Sequence, residues 1–122
     1  MIKVLKTITN ELKELKIPYA YDKWEKDVIL PFFVGELDET PTYDEDGKSE
    51  YSFTLTGEDV NTYSKLYEYS ESLKKEYKQS KKIRCDGGYI VISYDNTTAV
   101  PIDLPNIKRI QIKFTIDLWE EE

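Results

Sequence analysis

Carboxylates crowd one short stretch of the sequence. Glu36, Asp38, Glu39, Asp44, Glu45 and Asp46 fall between an apolar run at 28–34 and an alternating run at 51–56. Grouped acids suit two chemistries, divalent-cation binding and acid–base catalysis, and each imposes a test. A calcium loop of the EF-hand type needs oxygen ligands at its first, third and fifth positions, glycine at the sixth and glutamate at the twelfth. With Gly47 sixth, Asp44 and Asp46 fall correctly, but Thr42 stands first and Phe53, which has no ligand atom, stands last. The loop fails at both ends. Asp46-Gly47 is a reversal signal between strands, because glycine accepts positive φ and aspartate tolerates it. The stretch reads as a solvated hairpin tip, with divalent-ion binding or a charged docking surface as alternatives. Acid–base work requires two carboxyls whose pKa values are split by burial or by a neighbour. Nearly all of the 24 Asp and Glu sit at polar faces, turns or the tail.

The remaining reactive inventory is short. The chain has no His, which removes the commonest general base and the commonest metal ligand. Serine–histidine and cysteine–histidine couples are therefore impossible within it. Cys85 is the single cysteine, too few for a zinc site or an intrachain disulfide. Lys82 and Arg84 lie close to it in sequence, which could activate the thiol, but an incidental cysteine is the plainer reading. Asp86-Gly87-Gly88 lacks the spacing of a phosphate cradle. Nothing in this inventory argues for an enzyme, although it excludes none, and no metal or cofactor is expected. The basic run at 74–84, with Lys74, Lys75, Lys78, Lys81, Lys82 and Arg84, reads as a helix end plus a solvated loop. Its alternative is a patch for an acidic partner, including another copy of the chain. A net charge of −7 disfavours a general nucleic-acid binder, since such a surface repels phosphate backbones.

The elements that must hold these residues follow from hydrophobic spacing. Val4, Leu5, Ile8, Leu12 and Leu15 recur at helical period, which predicts an amphipathic helix over about 3–16, ended by Pro18. An extended segment starts there. The apolar run at 28–34 predicts a strand with Pro31 at an edge or bulge. Tyr51, Phe53 and Leu55 alternate with polar residues up to Gly57, a strand with one wet face. Asp59 is then expected to cap a second, long helix reaching about Gln79, with Val60, Tyr63, Leu66, Tyr67, Leu73 and Tyr77 as its stripe. A strand at 88–94, a loop over 96–106 and a strict alternation over 109–118 complete the chain. The expected fold class is α+β: an antiparallel sheet, with an N-terminal amphipathic helix and a second long helix packed on its apolar face. At 122 residues the chain is expected to be one domain, 1–122. No stretch approaches the ~20 apolar residues of a membrane span, and the N-terminus lacks the apolar core of a signal peptide. The expected place of action is a cytoplasm, or something assembled there.

Two stretches carry a resemblance. FFVGELDETPTYDEDGKSEYSFTLTGE combines an aromatic-Val-Gly-Glu strand, an acid-rich hairpin with Asp-Gly, and a strand ending Thr-Leu-Thr-Gly. VPIDLPNIKRIQIKFTIDLWEEE combines a Pro-Ile loop, Lys-Arg-Ile-Gln-Ile, a further alternating strand and a closing Trp. Together they resemble the tail terminator (tail-to-head joining) and minor structural proteins of tailed phages and prophages of Gram-positive bacteria. The resemblance implies a non-enzymatic virion component, assembled in the host cytoplasm, that caps the tail tube and docks the head connector. It implies a ring, typically a hexamer, with DNA only passing through its lumen. The implied partners are other copies of the chain, the tail tube protein and the connector protein, with no membrane. Its candidate contacts are Glu36, Asp38, Glu39, Asp44, Glu45 and Asp46 on the hairpin, and Arg109, Gln111 and Lys113 on the wet face of the last strand. The acidic ending at 120–122 departs from the family's more basic one. A rival from another class is an acidic phage-encoded regulator or inhibitor that binds a host protein, which the net charge would suit.

Overall fold

The computed structural model describes residues 2–22, 29–40 and 47–120. Helix α1 (Ile2–Glu14) buries Val4, Ile8 and Leu12, the stripe set by the spacing of its apolar residues. It stops at a left-handed residue, Lys16, with φ of 58°. Lys16 N–H donates to the Lys13 carbonyl and Ile17 N–H to the Leu12 carbonyl, the paired bonds that close a helix C-terminus. The chain then enters β1 (Tyr19–Tyr21) and, after an interval, β2 (Phe32–Thr40) and β3 (Lys48–Val60). Helix α2 (Ser64–Tyr77) leads to β4 (Lys81–Cys85), β5 (Gly88–Val100) and β6 (Ile107–Glu120).

The strands form one sheet in the order β1-β2-β3-β6-β5-β4. Strand β1 runs parallel to β2, and every other neighbouring pair is antiparallel. Alternation fixes which side faces the core. Tyr51, Phe53 and Leu55 of β3 stand opposite Ile116, Phe114 and Ile112 of β6, and all are buried. Phe114 lies at the centre, with the rings of Phe53, Tyr77 and Tyr94 about it at 6.2, 5.9 and 6.1 Å. Glycine has a packing role in this layer. A Cβ on Gly57 would stand 2.3 Å from Cε1 of Phe33, so the missing side chain is what lets that buried ring lie over β3.

The expected fold class is overturned in two respects. The sheet is mixed, six-stranded and the dominant element, because β1 joins it in parallel. The second helix is not a long helix laid along an apolar sheet face. It is a 14-residue segment that buries Leu66, Ser70, Leu73 and Tyr77. Its start moves because β3 runs straight through Gly57 and Asp59, where the spacing had suggested a strand end and a helix cap. Asp59 is buried in β3, and its Oδ1 accepts from the Val60 N–H at 2.8 Å. Thr62 Oγ1 instead accepts from the N–H of Ser64 at 3.2 Å, where the helix begins. Further down the chain, the expected loop over 96–106 shrinks to 101–106 because β5 continues to Val100 through a bulge between Tyr94 and Asn96. Pro31 lies just before β2, where it removes nothing from the ladder. The second half of the basic run is a strand, β4, rather than a loop.

Candidate functional site

Register decides which side chains share the sheet's outer face. On β2, Glu36 and Asp38 point there, opposite Thr54 and Ser52 of β3, and both acids are exposed. Glu39 is exposed near the end of the same strand, on the opposite parity. Asp44, Glu45 and Asp46 lie outside the described residues, so the hairpin's acidic set is only half placed. The three β6 candidates share the outer face with Glu36 and Asp38, but their neighbours differ. Arg109 Nε and Nη2 donate to Glu58 Oε2 at 3.0 and 2.6 Å, a cross-strand ion pair that engages much of its fork. Gln111 Nε2 makes a long contact of 3.5 Å with Thr56 Oγ1. Lys113 is exposed, opposite Thr54 on one side and Asn96 on the other. The acids of β2 and the β6 residues are separated by β3, so they form one face but not one cluster.

The far side of the same face holds Lys82 and Arg84 of the basic run beside two aromatics that the spacing did not single out. Following the register from Lys48 through Trp119 and Tyr89 leads to Arg84 on β4. Tyr89 and Trp119 stack at 5.2 Å with 16° between their planes. Lys82 Nζ lies 4.1 Å from the Tyr89 ring centre and Lys48 Nζ 5.6 Å from that of Trp119. Cations over ring faces are attracted by the ring quadrupole, and the rings gain cover from the lysine stems. The only signal in the sequence was an aromatic at an otherwise polar position of two alternating strands. Lys82 and Arg84 are exposed on the strand that closes the sheet opposite β1 and β2. The outer face therefore carries acids along one flank and bases along the other. Four strand spacings separate them, ~19 Å at ~4.8 Å each.

Behind β4, a groove of about 480 Å³ lies between α1 and residues 83–86. Lys3, Lys6, Glu11, Glu14, Arg84 and half-buried Cys85 are among its lining residues. Glu11 is the buried acid of this region, and its contacts account for it. Its Oε1 accepts from Tyr77 Oη at 2.8 Å and lies 2.9 Å from Lys81 Nζ, which also donates to Glu76 Oε1 at 2.8 Å. Burial pushes the Tyr77 phenol well up, reinforced by its bond to Glu11 and by the charges of Glu11, Glu76 and Glu14. Its bonds to Glu76 and Glu11 raise Lys81. A phenol held protonated and a lysine held charged leave neither group ready to take up a proton near neutrality. The constellation ties α1, α2 and β4 together as structure. Among the described residues, no three His, Cys, Asp or Glu side chains gather closely enough to hold a metal ion.

Compared with protein-family models and with curated protein sequences, the chain matches none. What it does must be argued from its motifs and surfaces.

Proposed function

We propose that this chain is a non-enzymatic structural protein of a tailed phage or prophage that caps the tail tube and joins it to the head connector, working as a ring of identical copies. The two motif stretches motivate the identity, and the partition of charge across the outer sheet face carries the mode of action. Joined edge to edge about a two-fold axis, a sheet face that is acidic at one flank and basic at the other sets acid on acid or base on base. It is complementary to an identical surface set beside it in the same orientation. Such head-to-tail contacts close into rings when the rotation permits, and opposite charges guide the approach and penalise wrong pairings. The rival reading, an acidic inhibitor of a host protein, is less well supported. Exposed Lys82, Arg84 and Lys113 stand on the same face as Glu36 and Asp38, where an imitation of a phosphate backbone would need one sign.

Sedimentation velocity and negative-stain microscopy of the purified chain, alone and with purified tail tubes, test the proposal. A closed ring, or a cap bound at one end of each tube, is expected. A chain that stays monomeric in both samples and leaves tube ends bare refutes it.

A further inference from the structure

We infer that neighbouring copies join by strand addition, the outer edge of β2 at Glu36–Thr40 pairing in parallel with the outer edge of β4 at Lys81–Cys85. The inference rests on the ring reading above and names the surface that would build the ring. Strand β1 covers only Phe33, Val34 and Gly35 of β2. Beyond Gly35, no described strand lies on that side of β2. The direction of its backbone groups can be read from β1. Phe33 N–H donates to the Pro18 carbonyl, and the Gly35 carbonyl accepts from Asp22 N–H, so odd-numbered residues of β2 present their amides toward β1. Alternation carries the same orientation to Leu37 and Glu39, whose amides therefore face outward past the end of β1. Even-numbered residues spend theirs on β3. At the other end of the sheet β4 is terminal, and among the described residues no strand pairs with its outer edge.

The two edges suit each other in length, direction and charge. Strand β4 has five residues, as has the segment 36–40. Counting antiparallel steps from β2 through β3, β6 and β5, strands β2 and β4 point the same way. Copies set side by side in one orientation would therefore pair them in parallel. Glu36 and Asp38 would meet Lys82 and Arg84 on one continuous outer face, at the distance of adjacent strands. Charged edges usually prevent sheets from joining. Here β2 against β2 sets acid on acid and β4 against β4 sets base on base, so charge blocks the symmetric pairings and leaves the head-to-tail one. Within one copy Lys82 lies in the same cross-strand row as Thr40, so pairing segment with segment requires a stagger between copies. Closing a sheet on itself requires such a stagger, together with strand tilt.

The test uses the full chain in three forms under conditions where the native chain assembles, alone or on tail tubes. One variant carries Glu36→Lys with Asp38→Lys, another Lys82→Glu with Arg84→Glu, and a third Glu39→Pro, which removes an amide that faces only outward. Circular dichroism and urea midpoints establish that each is folded. Each charge variant alone is expected to associate at least tenfold less tightly than the native chain, while an equimolar mixture of the two regains assembly with alternating copies. Glu39→Pro is expected to stay unassembled although its charge change is small. Native-like assembly by Glu39→Pro, or a mixture no better than its folded components, overturns the edge pairing while leaving the ring intact. A native chain that never assembles overturns the ring and the pairing together.

Discussion

Replacing Tyr77 by Phe isolates one buried hydroxyl and makes two linked predictions. Tyr77 is fully buried, and its only described hydrogen bond goes to Glu11 at 2.8 Å. A hydrogen bond to a charged group contributes roughly 1.5–3 kcal/mol. Lys81 remains beside Glu11 in the variant, so the loss should fall near the lower half of that range, about 2 kcal/mol. At about 2.1 cal/mol/K of unfolding entropy per residue, a chain of this size then melts roughly 8 °C lower at pH 7. The second prediction concerns alkali. Tyr77 titrates higher in the folded chain than in the unfolded one, where the ordinary value is about 10. A group raised by folding contributes stability that is complete below its unfolded pKa and is lost as pH rises through the folded one. The native chain should therefore lose stability above pH 10 faster than Tyr77→Phe does. By pH 11 the gap between them should narrow by about 1 kcal/mol, the linkage expected of one proton over one unit. Urea melts at pH 7, 9, 10 and 11 supply the measurement. Equal midpoints at pH 7, or a gap unchanged between pH 9 and 11, would refute the assignment of the phenol to Glu11.

Three further substitutions probe the sheet itself. Gly57→Ala sets a methyl well inside contact distance of the Phe33 ring, and a buried ring can move only by disturbing the core, so a loss of about 2 kcal/mol is expected in urea melts. Alanine at exposed Lys113 should change stability by no more than about 0.5 kcal/mol and serves as the control. Arg109→Gln breaks the partly buried pair with Glu58 and should cost about 1 kcal/mol at low salt. Most of that difference should vanish in 1 M salt, where charges are screened within ~3 Å, and a cost independent of salt would mean that packing, not charge, sets it.

How far the sequence reached can be judged element by element. The period of Val4, Ile8 and Leu12 sufficed for α1, and the alternation of Ile110, Ile112, Phe114, Ile116 and Leu118 sufficed for β6, because each pattern records a single packed face. The boundary between β3 and α2 was misread for a physical reason. Gly57 and Asp59 look like punctuation locally, yet one makes room for Phe33 and the other is buried in the strand beside Val60. Neither fact exists until distant residues are packed. The same holds for β4, whose residues read as a solvated basic loop until β5 pairs with them.

The candidate surfaces divide along the same line. Sequence alone determined the residue types, and with them the lack of histidine, the acid-rich stretch, the basic run and the net charge of −7. That Glu36 and Asp38 stand on a strand and share its outer face was not legible there, because the stretch reads as a hairpin tip until β3 pairs with it. Only the tertiary structure decided that this face also holds Lys82, Arg84, Tyr89 and Trp119, with acids and bases on opposite flanks. Strand order is what sets those flanks apart, and strand order depends on long-range pairing that no local window of sequence contains.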